Sequence, residues 1–580
     1  MKKNLAVLFV FLLVFGAVSA QDSDTAETVH EITRREYTFY IFDTDTYWTE
    51  PVPLYFMDGV DDIPYLNLKE WLEIVVTLNR SLLDDTDYDL VFNWDGNDAA
   101  YIRESDYRMV FDFEADTITF DDYNGFMHDS HEKALLDILS ASGYDEAGQS
   151  ILYYRNPDTY MDRYGDVLKL NLKAYGIPMI AQEGEYYLPV QTISDIWTSP
   201  LFLRPLIFNG ENLFLANADD FGKVRNGLTP LGELYYAAKP KERSKELADF
   251  GYRELCFALD NLYGLKETHD ISNFDQLFWQ IAFDKDLSST DPEVSDAALY
   301  KFIDYHLDDL HSTFDNYSYQ TGAREVPWGT GPASVRFNEA AETYYEAREA
   351  VFGDDWYKYE EVGNTAYITF DTFDIKGSGP DYYAFVDGED IPLDTLGLII
   401  YAHSMINRED SPVENVVIDL SNNTGGSVDA AIFVMSWFLG EAPFSVRDMQ
   451  TGALTTANYR ADINLDHVFD EKDTLAGKNL FCLISPVSFS CGNLVPAAFK
   501  ASGKVTLMGR TSGGGSCTLQ PISTAWGTQI TISGTHRMSF LKNGSFYDID
   551  QGIAPDYTIS SPAKFYDREA LMEFINKQIF

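Results

Sequence analysis

Basic residues are scarce in this chain: 42 lysines and arginines stand against 92 aspartates and glutamates, a formal charge of −50 over 580 residues. A field of that sign repels phosphate backbones and anionic lipid surfaces, which excludes a general nucleic-acid or membrane-surface binder. The acid is spread along the chain rather than gathered into a tail, so it is solvated surface. Cysteine is also nearly missing, with four residues in all. A chain of this length builds its own cores without a disulfide scaffold, and the cysteine spacing is not that of a zinc site. Cys491 and Cys517 are open to bridging after export, or stand as buried free thiols. Beyond the first twenty residues no apolar run reaches the length of a membrane span. No compact calcium loop is present, and His128 and His131, three apart, have no third ligand and read as a surface loop.

What is present is ordinary globular composition, 45% hydrophobic and 23% charged, enough for two to four domains. Residues 1–20 have the form of a secretory leader, with Lys2 and Lys3, an apolar run from Leu5 to Phe15, and small residues up to Ala20. An exported protein, secreted or periplasmic, is the expectation. Residues 21–225 form a mixed, β-rich accessory region. Within it, Asp62 to Trp71 and Tyr187 to Ile196 each run from a strand into a capped helix start, which hints at a duplicated unit. Tyr107–Phe113 and Thr117–Phe120 alternate as an antiparallel pair would. Residues 226–320 turn helical, with apolar residues at three- and four-residue spacing in Leu231–Ala238, Glu242–Leu262, Phe274–Phe283 and Val294–Leu310. His311 follows the last of these. From 321 to 580, apolar strands alternate with helices, the pattern of an α/β core.

Two junctions in that core carry chemistry. The apolar run Val416–Leu420 enters Ser421-Asn422-Asn423-Thr424-Gly425-Gly426, where paired glycines let bare N–H groups approach a ligand. The run Asn479–Ile484 enters Ser488-Phe489-Ser490-Cys491-Gly492-Asn493 and then a helix. A serine there meets the free N–H groups and the positive end of the helix dipole, so it serves either as a cap or as a nucleophile beside an oxyanion site.

Five elements stand in order: Asp308-Asp309-Leu310-His311-Ser312, Gly363–Ile368, Asp419–Gly426, the Ser490 elbow with Gly509–Gly515, and Gly552-Ile553-Ala554-Pro555-Asp556. Together, from Leu307 to Ile559, they resemble the tail-specific proteases, the family of C-terminal processing peptidases and tricorn-core proteases. The resemblance implies a crotonase-like ββα spiral core and hydrolysis of peptide bonds through a serine acyl-enzyme, with no cofactor or metal and a protein or peptide as substrate. It places the nucleophile at Ser490. The oxyanion hole falls to the Cys491 N–H with one from Gly425-Gly426. The family's lysine position falls in Gly513-Gly514-Gly515, and neither Lys500 nor Lys504 matches it. His311 corresponds instead to the base of the tricorn-like branch, with Asp550 as the orienting acid and Asp548 second. The interval from His311 to Gly363 is too short for a PDZ domain. Ser421 stands where the family has arginine. An inactive relative that binds peptides or an envelope component, and a serine esterase or amidase, are the alternatives.

Overall fold

The computed structural model describes residues 29–83, 88–96, 98–128, 136, 139, 152–223, 228–239, 243–327, 329–354, 357–375, 382–384 and 393–578. The leader expected at 1–20 and His131 lie outside these residues. His128 does not sit in an exposed loop. It ends the Tyr123–Met127 helix with its ring between the Gly125 carbonyl and Glu104, 3.1 Å away.

The protein is a mixed α/β fold with a β-rich N-terminal region. A seven-stranded sheet there runs in the order Ile180–Gln182, Glu185–Pro189, Tyr65–Asn67, Thr46–Met57, Ile32–Asp43, Asn212–Leu215, Leu206–Phe208. The two similar β–α stretches are neighbours in it: Tyr187, Leu188 and Pro189 pair antiparallel with Asn67, Leu66 and Tyr65. Tyr65–Asn67 feeds the Leu68–Leu82 helix, whose cap is the Asn67 side chain. A second sheet of five strands contains Tyr107–Asp112 paired antiparallel with Thr117–Phe120, as their alternation predicts.

One buried contact in this region is electrostatically costly. Asp195 and Glu254, each 1% exposed, lie together among Gln191, Thr192 and apolar side chains, and one carboxyl oxygen of each meets no donor among the described residues. Burial raises both carboxyls, and Glu254 raises Asp195 further. The native state therefore holds protons that the unfolded chain releases. The stabilising contribution is complete below the ordinary carboxyl range and is lost as pH rises towards the raised values. Glu254→Gln should leave the urea midpoint near pH 4 little changed and raise stability at pH 8 by about 1–3 kcal/mol.

The helical segment differs from its expected form at the end that matters. The periodicity predicts one helix to Leu310. The α-helix Pro292–Lys301 instead widens into π geometry over Phe302–Leu307 and stops at Asp308, which has φ 50°. A left-handed residue cannot continue the helix, so His311 lies in a separate turn, before the strand Thr313–Asn316.

Two sheets form the remainder. The first is ordered Lys358–Val362, Thr365–Thr369, Asn415–Asp419, Asn479–Ile484, Val505–Gly509, Tyr557–Thr558, parallel except for its first pair. Its inner strands are apolar and buried on both faces, as parallel strands must be when elements cover both sides. The Val428–Leu439 helix is buried almost all round and stacks Phe438 on Phe499 of the Cys491–Ser502 helix, with ring centroids 4.8 Å apart. The second sheet joins distant parts of the chain. Thr313–Asn316 pairs with Gln529–Ser539, and Tyr153–Arg155 and Met161–Arg163 pair with Leu454–Ala461. The stretch 21–225 thus contributes two strands to a sheet whose other members lie beyond residue 312. All four cysteines are buried free thiols, with no bridge between Cys491 and Cys517.

Candidate active site

Parallel strands deliver their C-terminal ends to one edge of the sheet, and there the two glycine- and serine-bearing junctions meet. Ser490 is the N-cap residue of the Cys491–Ser502 helix, yet its side chain makes no capping hydrogen bond. Its backbone has φ 54° and ψ −123°, a conformation that costs a non-glycine residue about 1–3 kcal/mol and needs its surroundings to hold it. Those surroundings are backbone. The Ser490 N–H donates to the Gly514 carbonyl at 2.9 Å, and the Phe489 N–H to the Asn423 carbonyl at 3.1 Å. Ser488 locks the approach, donating its Oγ to the Leu420 carbonyl at 2.7 Å and accepting the Ser485 N–H at 2.9 Å. The elbow is clamped between the glycine turn on one side and the glycine run on the other.

Gly425 has φ 107°, and a Cβ there would stand 2.7 Å from the Ser490 Cβ and 3.1 Å from its Oγ. Its N–H is already donated to the Asn423 Oδ1 at 3.0 Å. Among the described residues, no protein acceptor meets the N–H groups of Gly426 and Cys491. The Cys491 thiol lies 3.2 Å from the Gly426 carbonyl, which fixes these two peptides as neighbours. Asn423 was not marked by sequence as a site residue, although an Asn before Thr-Gly-Gly is the signature of a side chain folding back on its own turn.

His311 reaches the elbow from the other direction, its ring 4.6 Å from the Phe489 ring. Asp309 orders the turn, accepting the His311 N–H at 3.1 Å and the Ser312 hydroxyl at 2.7 Å. Burial lowers the imidazole from its ordinary value, and the nearby charges of Asp309 and Asp550 oppose that. Burial prevails, so the ring is neutral at pH 7. Phe489, which links the histidine to the serine, carries no mark in the sequence.

Asp550 is half-buried beside this cluster and accepts from the Ser516 N–H at 3.1 Å and the Ser516 hydroxyl at 2.9 Å. Its carbonyl takes the Gly515 N–H at 3.0 Å. Asp548 is turned outwards, 62% exposed, and paired with Arg537 at 2.5 Å. The glycine run has no room for a side chain. A Cβ at Gly514 would fall 1.9 Å from the Asp550 carbonyl oxygen, and one at Gly515 2.6 Å from the Phe489 ring. Both lysines near the elbow are engaged elsewhere. Lys500 donates to the Ala554 carbonyl at 2.6 Å and pairs with Asp556 at 3.1 Å, while Lys504 donates to the Leu439 carbonyl at 2.7 Å.

The segment holding the turn and the elbow can be compared with known proteins. Residues 365–559 match the model of peptidase family S41. No curated protein matches the chain. Among solved structures, the S41 segment lies in a chain similar to the photosystem II D1 C-terminal processing protease at 16% identity, covering 34% of this chain and 42% of that one, with a TM-score of 0.25. A lipoprotein from Streptococcus agalactiae is similar at 14% identity over 58% of this chain and 98% of that one, with a TM-score of 0.33. Mature CPAF complexed with lactacystin is similar at 11% identity over 58% and 98%, with a TM-score of 0.38. Among the described residues no helix is long and apolar enough to cross a membrane.

Proposed function

We propose that the protein is an exported serine endopeptidase in which Ser490 attacks the peptide carbonyl and His311 takes its proton. The observation that carries this reading is the Ser490 elbow itself. A helix N-cap serine held at φ 54° without capping the helix presents an unused hydroxyl beside backbone donors. The Cys491 and Gly426 N–H groups are the oxyanion donors in this scheme, since the Gly425 N–H is occupied by Asn423. Gly425 instead keeps the approach to Ser490 free of a side chain. Asp550 holds the positive charge that develops on His311, with Asp309 fixing the histidine's turn. In the acylation step the Ser490 Oγ–C bond forms, the C–N bond breaks, and the proton passes through His311 to the leaving amine. Water then reverses the sequence and releases the new carboxylate. The strand-and-helix units of the S41 segment form a crotonase-like spiral in this reading. The glycine run in place of a lysine and the interval too short for a PDZ domain set the protein with the tricorn-like branch.

A fluorophosphonate probe tests this directly. It should label the folded protein at Ser490, and failure to label the intact protein at any pH between 5 and 9 would overturn the reading. The pH profile reports the base. Only neutral imidazole accepts the serine proton, and burial lowers its pKa from the ordinary 6.5. Labelling should therefore rise with pH through a midpoint below 6.5 and stay flat above pH 7. A midpoint near 10 would indicate a lysine base instead.

A further inference from the structure

Among the surface hollows, one of about 330 Å³ opens directly beside the elbow. That volume lies within the range of small-ligand sites, roughly 300–1,000 Å³. Thr424 and Phe489 form its near end, one residue before Gly425 and Ser490 respectively. Phe337, whose ring lies 6.1 Å from that of Phe489, continues the wall. Tyr300 and Phe314, in edge contact at 5.7 Å, and Asp304 also line it.

Among the described residues, Asp304 is the one charged side chain lining this pocket. It comes from the π-widened turn Phe302–Leu307. Both of its side-chain hydrogen bonds fall on the same oxygen: Oδ2 accepts from the Tyr300 hydroxyl at 3.2 Å and the Thr330 hydroxyl at 2.5 Å. Oδ1 meets no donor among the described residues. The nearby guanidinium groups are taken by other acids, Arg324 by Glu293 at 2.6 Å and Arg336 by Asp308 at 2.9 Å. A carboxylate with an oxygen to spare, in a pocket lined by four aromatic rings, fits a long cation with an apolar stem. A chain of charge −50 also draws cationic peptides towards it.

Building on the peptidase reading, we infer that this pocket holds the side chain preceding the cleaved bond and that Asp304 selects lysine or arginine there. Asp304 acts by binding the substrate side chain and takes no part in the bond cleavage.

Peptidyl diphenyl phosphonates differing only in that side chain, lysine or leucine, measure the preference as a labelling rate at Ser490. The lysine reagent should react at least about tenfold faster, the effect expected of one charge-assisted contact. Asp304→Asn keeps an acceptor for Tyr300 and Thr330 and should bring the two rates close to parity. Asn338→Lys, which places a cation in the same pocket without altering Asp304, should do likewise; melting curves confirm that each variant is folded. Equal rates with the unaltered protein, or a lysine preference that survives both variants, would overturn the inference. The side-chain-free fluorophosphonate separates the two readings, since it reports the nucleophile alone. If it leaves Ser490 unlabelled, the pocket is still tested by fluorescence anisotropy on Ser490→Ala protein. Lysine-bearing peptides should then bind about tenfold more tightly than leucine-bearing ones, and equal binding overturns the pocket assignment.

Discussion

Alanine at position 425 should reduce peptide hydrolysis and fluorophosphonate labelling by about a hundred- to a thousandfold, the effect of losing one preorganised element of an oxyanion site. The glycine sits at φ 107°, where a side chain is strained whatever space surrounds it. Space is lacking as well. The new Cβ would lie 2.7 Å from the Ser490 Cβ and 3.0 Å from the Phe489 carbonyl oxygen. Neither neighbour is the end of a flexible side chain, so the elbow and the glycine turn must separate. That movement pulls Ser490 and the Cys491 N–H together away from the Gly426 donor and covers the face on which a carbonyl would approach. Strain at one such residue costs about 1–3 kcal/mol, against the 5–15 kcal/mol that holds a typical domain together. The variant should therefore melt lower but remain folded. Circular dichroism and labelling on the same sample separate the two effects. Labelling within threefold of the unaltered protein would show that Gly425 is an ordinary turn glycine.

The elements around this corner were legible for a physical reason. Thr365–Thr369, Asn415–Asp419, Asn479–Ile484 and Val505–Gly509 are apolar because both faces are covered, and each is punctuated by turn residues. Ser490 and Gly425 are ordinary on their own, since strand-to-helix turns often carry glycine or a capping serine, and they stood out only through the five elements taken in order. Other features depended on contacts far apart in sequence. Nothing local in 153–163 announces a partner at 454–461. The helix before His311 stops at Asp308 through backbone conformation, while the apolar spacing simply continues to Leu310. Phe489 is an unremarkable aromatic until the fold brings His311 against it. The roles of Asn423 and Asp304 appear only when hydrogen bonds are assigned oxygen by oxygen.

The same limit concealed Arg568, whose replacement by methionine should cost about 3–5 kcal/mol, the penalty for stranding a buried charge. Arg568 opens the Arg568–Gln578 helix, and its guanidinium reaches Asp419, 149 residues away, at 2.8 Å. The two side chains are 4% and 1% exposed. The guanidinium also donates to Thr369 and the Phe565 carbonyl, each at 3.0 Å, and lies 4.6 Å from the Tyr367 ring centre. Asp419 uses its other oxygen to hold the Ser421 N–H at 3.0 Å and the Ser421 hydroxyl at 2.6 Å. An arginine far away in sequence thus holds the Asp419 carboxylate that in turn holds the Ser421 turn. Methionine preserves much of the buried stem but removes the partner of Asp419, whose free carboxylate then perturbs the start of the turn leading to Gly425. Adding Asp419→Asn to Arg568→Met removes the stranded charge and should recover part of the loss, at least about 1 kcal/mol on the usual scale of coupled neighbours. Urea unfolding of the two single variants and the double variant measures that coupling. A strictly additive double variant would mean that the pair contributes packing alone and that the glycine turn is held without it.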